Sequence, residues 1–311
     1  MRVICEKFKD EYIHLNDEVH DICFSLPRLR HAAFTVGAPS LRAAMPTTWH
    51  AFAFLLHKIF AIDSVIEIAD GQINIPKRYD DLDQSEKGVL SYYLGMAITK
   101  IVADEVLHVP WPAHLRAMTK ALKITFRSKK RPDLIGLDSN GQWHIIEAKC
   151  HQFDPGEKKR KQWVKQVDSI DFIDDDSPKT RSYCFTQLRQ DVTIHLVDPD
   201  EIKDKKKINL PIKPIQLQKF YYQPYIDIFS TEIQKNDNLK NEILYNPIGF
   251  DAFNKIKYSL GIRQDILKDV LRNELVKKSI IPEIKEGYYL GSDGIAIKTE
   301  PFTKDDCIEY F

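Results

Sequence analysis

Asp133, Glu147 and Lys149 are the residues of this chain whose types and spacing could do chemistry. Two carboxylates beside an ammonium can hold a divalent cation and stabilise negative charge growing on a phosphate. Stretch 131–149, RPDLIGLDSNGQWHIIEAK, is what brings them together. It reads as two short apolar arms, 134–137 and 143–146, around the turn formers Asp138, Ser139, Asn140 and Gly141. Asp133 opens the first arm; Glu147 and Lys149 end the second. Strand side chains alternate, so Glu147 and Lys149 share a face and Ala148 points the other way. Carboxylates so placed are costly unless paired, solvated or metal-bound. The plain alternative is a surface ion pair at the end of a hairpin, worth little.

Register decides whether the two carboxylates meet. A two-residue Asn140-Gly141 turn pairs Ser139 with Gln142 and sets Asp133 opposite Ala148, facing away from Glu147. A three-residue loop of Ser139, Asn140 and Gly141 pairs Asp138 with Gln142 and sets Asp133 opposite Glu147. A shared cation therefore predicts the three-residue loop, with Gly141 in the left-handed conformation.

The elements around the hairpin follow from pattern. The stripe Leu90, Leu94, Ala97, Ile98, Ile101 and Glu105 has helical spacing and predicts a helix over 88–107, capped by Ser85. Val109-Pro110-Trp111-Pro112 ends it. Residues 121–126 read as a strand leading to the hairpin. Pro155-Gly156 opens a helix over 157–170, and 181–188 and 192–197 read as two further strands. Upstream, Thr47 or Thr48 could cap a helix through 51–60, and 64–68 with 72–75 form a hairpin around Asp70-Gly71. Residues 200–214 are a Lys-rich, Pro-containing linker. Segments 217–235 and 252–276 read as helical, and 288–298 as a hairpin around Ser292-Asp293-Gly294. The expected organisation is an N-terminal subdomain (1–78), an α/β core (79–200) and a mainly helical C-terminal region (215–311).

Composition narrows the class. The chain has 311 residues, 43% hydrophobic and 29% charged, ordinary for a soluble protein. Lys plus Arg equals Asp plus Glu at 45 each, so any basic, nucleic-acid-binding surface must be local. Five scattered cysteines lack metal-ligand spacing and fit a reducing, cytoplasmic setting. The apolar run 51–62 is too short to span a membrane, and no secretory signal is visible.

The Pro132-Asp133 and Glu147-Ala148-Lys149 pattern, with a hairpin between its halves, resembles the PD-(D/E)xK nuclease superfamily. The resemblance covers roughly 88–199 and implies a restriction-endonuclease-like core: a mixed central sheet flanked by helices. It implies Mg²⁺, with Mn²⁺ as a possible substitute, held by Asp133, Glu147 and the Ala148 carbonyl. Lys149 would orient or deprotonate water, or stabilise developing charge. The family often carries a glutamine on the following helix, which points to Gln162 and, one turn on, Gln166; two solvated glutamines are the alternative. It also often places an acid on the preceding helix, which points to Glu105, with Asp104 beside it; a solvated helix end is equally open.

Lys130 and Arg131, and Lys158, Lys159, Lys161 and Lys165, flank the site and could contact phosphates, or simply be solvated faces. His144 faces opposite Glu147 and reads as a packed strand residue, and Cys150 as a small apolar filler. The resemblance thus implies a DNA endonuclease of restriction, phage defence, mobile elements or repair. The alternatives are a non-catalytic nucleic-acid-binding module, or a homodimer or partner-dependent complex docking through 215–311.

Overall fold

The computed structural model describes residues 1–18, 20–36, 48–126, 130–189, 192–201, 208–233, 243–249, 257–277, 279–285 and 288–299. Strand β7 (Trp143–His151) organises it. Its side chains are buried on both faces from Trp143 to Glu147, the mark of a central strand. Strand β6 (Leu134–Leu137) lies antiparallel on one side, β9 (Thr180–Gln187) parallel on the other.

The full sheet has seven strands in the order β2-β1-β10-β9-β7-β6-β5. Its outer members are β1 (Arg2–Glu6), β2 (His20–Asp21), β10 (Thr193–Val197) and β5 (Ala113–His114). The sheet is mixed: β1 is parallel to β10, and β10 antiparallel to β9. Residues from 1–78 and from 79–200 therefore share one sheet. Strand β5 takes the place expected for a strand over 121–126. Helix α4 (Leu115–Ala121) follows it, and Leu122, Ile124 and Phe126 pack against the core without forming a strand. Their apolar side chains are used in the core all the same.

One sheet face is covered by helix α3 (Gln84–Leu107). Asp83, not Ser85, caps it: its carboxylate accepts the Ser85 N–H at 2.7 Å, and Glu86 returns a bond to the Asp83 N–H at 3.0 Å. This is a capping box. Past its first turns the helix is buried nearly all round, between the sheet and helices α1 (Leu26–Thr35) and α2 (Thr48–Asp63). It comes close to β7 at Gly95, where an added Cβ would lie 2.6 Å from Cys150 Cβ. Upstream, β3 (Glu67–Ala69) and β4 (Gln72–Asn74) form the expected hairpin.

On the opposite face lies α5 (Gly156–Val167), whose Trp163 packs on Tyr183 and Phe185. Strand β8 (Ile170–Ile173) leaves the main sheet to pair with β11 (Ile208–Leu210). Helix α6 (Pro214–Ile233) carries Tyr221, Tyr222 and Tyr225 into the core, and Trp111 Nε1 donates to the Tyr222 hydroxyl at 2.7 Å.

The C-terminal region differs from the mainly helical expectation. It contains a five-stranded sheet of order β12-β13-β16-β15-β14: β12 (Ile243–Gly249), β13 (Lys257–Arg263), β14 (Glu283–Lys285), β15 (Tyr288–Leu290) and β16 (Ile295–Thr299). Within the expected helix 252–276, residues 257–263 are strand β13 and only α7 (Gln264–Leu271) is helical; 252–256 lie outside the described residues. Tyr258, Leu260 and Ile262 alternate, and β13 is hydrogen-bonded on both sides, which secures the strand.

The expected 288–298 hairpin is present, and its turn anchors this sheet to the core. Asp293 is fully buried, its Oδ2 2.8 Å from Lys100 Nζ of α3 and its Oδ1 3.1 Å from His31 Nε2 of α1. It also accepts from the Tyr221 hydroxyl and from the Ile295 N–H. Burial works to raise this carboxyl, but His31 and Lys100 outweigh it and hold it well below the usual carboxylate range.

Candidate active site

The hairpin has the three-residue loop that the chemistry asked for. Asp138 N–H donates to the Gln142 carbonyl at 3.0 Å, and Gly141 N–H to the Asp138 carbonyl at 3.1 Å. Gly141 takes φ +78°, a conformation an L side chain resists. The Asp138 carboxylate stiffens the loop by accepting the Asn140 and Gln142 N–H groups at 2.9 and 2.7 Å. Pairing then runs Leu137 with Trp143 down to Leu134 with Ile146. One step further, Asp133 stands opposite Glu147.

The two acids are knitted together there. Asp133 N–H donates to Glu147 Oε2 at 2.9 Å, and Ala148 N–H donates to Asp133 Oδ2 at 3.2 Å. Lys149 Nζ contacts Glu147 Oε1 and lies 3.6 Å from Asp133 Oδ2. Glu147 is fully buried, whereas Asp133 and Lys149 keep part of their side chains in solvent. Burial, then the neighbouring Asp133, pushes the Glu147 carboxyl up to about 8 against the opposing pull of Lys149.

Such a pair suits a hard divalent cation. Magnesium is commonly held by one or two carboxylates, with water and substrate oxygens completing its shell. Glu147 supplies an anion that is costly until a further cation arrives. Among the described residues no group of three histidine, cysteine or acidic side chains is arranged to hold a metal; the set of Asp133, Glu147 and the Ala148 carbonyl is the one that the family resemblance implies.

The other expected residues divide. Gln166 Nε2 donates to the Arg131 carbonyl at 3.1 Å, fixing the backbone two residues before Asp133. Gln162, one turn earlier, is exposed. Glu105 is not at the site. It pairs with Arg28 near the other end of α3, because the helix crosses β7 at Gly95, roughly 15 Å of helix earlier. Asp104 is hydrogen-bonded by the Ser292 hydroxyl. Lys130, Lys158, Lys159, Lys161 and Lys165 are exposed, with Lys161 3.5 Å from Glu157. The Arg131 guanidinium lies over the Phe126 ring at 5.4 Å. His144 is buried, 2.9 Å from Thr180 Oγ1.

Two residues near the site carry no sequence signal. Tyr92 of α3 and His114 of β5 lie with the Tyr92 hydroxyl 3.0 Å from His114 Nε2. Burial, then the charges of Asp133, Tyr93 and Glu147, pushes the Tyr92 hydroxyl up to about 12, so it stays protonated. A two-residue strand such as β5 leaves no periodicity to read.

Comparison with protein-family models, curated proteins and solved structures finds no match to this chain. No helix among the described residues is long and apolar enough to cross a membrane.

Proposed function

We propose that this protein is a Mg²⁺-dependent nuclease that hydrolyses phosphodiester bonds, acting on DNA as an endonuclease in restriction, phage defence or mobile-element biology. One observation carries the reading: hairpin register sets Asp133 opposite Glu147 while Lys149 touches both carboxylates. The mixed sheet with helices on both faces is compatible with the restriction-endonuclease-like core that the motif implies. A divalent cation on Asp133 and Glu147 would supply Lewis acidity at the scissile phosphate. Lys149 keeps an ammonium where negative charge grows in the transition state, and Glu147 holds that ammonium in place. Asp133, tied to the Ala148 N–H, keeps its carboxylate at the open side of the pair. Gln166 braces the strand entry that presents Asp133.

The second reading is a nucleic-acid-binding or complex-assembly module without turnover. It draws on the position of Glu105, which leaves the pair without the helix-borne acid the family often carries.

The test is cleavage of linear, circular and single-stranded DNA, and of RNA, by the full chain with and without Mg²⁺. Asp133→Ala and Glu147→Ala should each lower the rate by about three orders of magnitude, the equivalent of ~4 kcal/mol of transition-state stabilisation. Wild-type rates in either variant would remove the shared-cation site, and binding without any cleavage by the wild type would select the second reading.

A further inference from the structure

Strand β7 continues past the catalytic pair. Glu147, Lys149 and His151 alternate onto one face, and Gln152-Phe153-Asp154-Pro155 then leads into α5. At this end a cleft of about 520 Å³ opens between that loop and the first turns of α3. Lys87 and Ser91 line one wall, and His151, Phe153 and Lys159 the other. Its volume lies within the range of small-molecule sites.

Phe153 stands on the rim of this cleft with 68% of its surface exposed. The loop that presents it is not slack. Gln152 Nε2 donates to Asp80 Oδ1 at 2.7 Å, and Asp154 Oδ1 accepts the Gly156 N–H at 2.9 Å. Asp154 Oδ2 accepts from Arg160 at 3.1 Å, and the Arg160 guanidinium lies over the Phe185 ring at 5.8 Å. A fixed loop thus holds a phenyl ring in water, while Trp163 and Phe185 of the same unit are buried. Lys87 and Lys159 line the cleft together with Asp154, whose carboxylate is paired with Arg160. Burial, then Lys159, then Lys149, holds His151 below the usual imidazole range. Phe153 lies four positions on from Lys149, at most about 14 Å of chain, so one strand of nucleic acid can touch both.

Resting on the nuclease reading, we propose that this cleft receives one unpaired nucleotide of the substrate, its base stacked on Phe153 and its phosphate against Lys159. In a continuous duplex each base face is covered by its neighbours; only an unpaired, splayed base offers its face to an aromatic ring. The substrate class is therefore a single strand, or a strand with unpaired bases next to the scissile bond.

Phe153→Ala and Phe153→Trp, both at an exposed position, keep the wild-type fold by circular dichroism. Binding is read by fluorescence anisotropy with Ca²⁺ in place of Mg²⁺, on a labelled single-stranded oligodeoxynucleotide and on a blunt-ended duplex of the same length. Phe153→Ala should bind the single strand roughly 5- to 150-fold more weakly, with Phe153→Trp close to wild type and duplex binding equal in all three proteins. Wild-type affinity of Phe153→Ala for the single strand, or equal losses on both probes, overturns the proposal. If the wild type nevertheless cleaves in Mg²⁺, the nuclease reading stands alone. A wild type that neither binds nor cleaves either probe overturns both.

Discussion

Two of the carboxylate–lysine pairs among the described residues include a fully buried carboxylate, and they are balanced in opposite ways. Asp293 and Lys100 are sealed in the interior, where His31, the Tyr221 hydroxyl and the Ile295 N–H complete the carboxylate's partners. Glu147 and Lys149 sit at a sheet end, where a second acid, Asp133, competes for the same ammonium. In the first cluster cations and donors overcome burial, and Asp293 stays ionised. In the second, burial and like charge win, and Glu147 is pushed up to about 8. A satisfied buried pair fastens segments far apart in sequence; an over-acidic one leaves a carboxylate that is costly to ionise.

Asp293→Ala should produce the largest effect on stability. It leaves the Lys100 ammonium buried without its counter-charge, a loss of ~3–5 kcal/mol. Guanidinium unfolding of the full chain measures it, and a midpoint close to wild type would erase the distinction between the two clusters.

Glu147→Gln should behave in the opposite sense. Because its folded-state pKa is raised, the unfolded chain ionises first, and Glu147 costs stability as pH climbs from 4.5 to about 8. The variant should lose that part of the pH slope and equal or exceed wild-type stability near the upper end. Millimolar Mg²⁺ at that pH should raise the melting temperature of the wild type but not of Glu147→Gln. Equal responses in a calorimetric titration would mean that Glu147 holds no cation.

The smallest effect belongs to the open rim. Neutralising Lys158, Lys159 and Lys161 together should leave stability unchanged. It should flatten the salt dependence of nucleic-acid binding by about 0.7 to 0.9 of a logarithmic slope unit per lost contact. An unaltered slope would return these lysines to bulk solvent.

The hairpin that carries Asp133 and Glu147 was legible because its determinants are local. Period-two alternation, a run of turn formers and one glycine able to take positive φ are enough to count Asp133 onto Glu147. Glu105 was misplaced because helical spacing says which residues share a stripe, not which turn of α3 crosses β7; the close approach at Gly95 decides that. Nothing local announces Asp293, whose partners His31 and Lys100 lie 262 and 193 residues away in the chain. The strand over 257–263 was hidden for a related reason. Its alternation of Tyr258, Leu260 and Ile262 is brief, and its partner β16 comes from some thirty residues further on.

The position of β1 sets the order in which the molecule can be assembled. Val3 to Glu6 pair with Ile194 to Val197, so a strand made early fills an inner place in the sheet beside one made roughly 190 residues later. At roughly 5–20 residues per second, that partner arrives on the order of 10 to 40 seconds later. Until then the side of β1 away from β2 is an unpaired edge, and β9 lacks its neighbour β10. Closing a loop of this length is slow, and the waiting chain is exposed to mispairing with other chains. The native sheet is thus completed only once the two ends of a long loop have met.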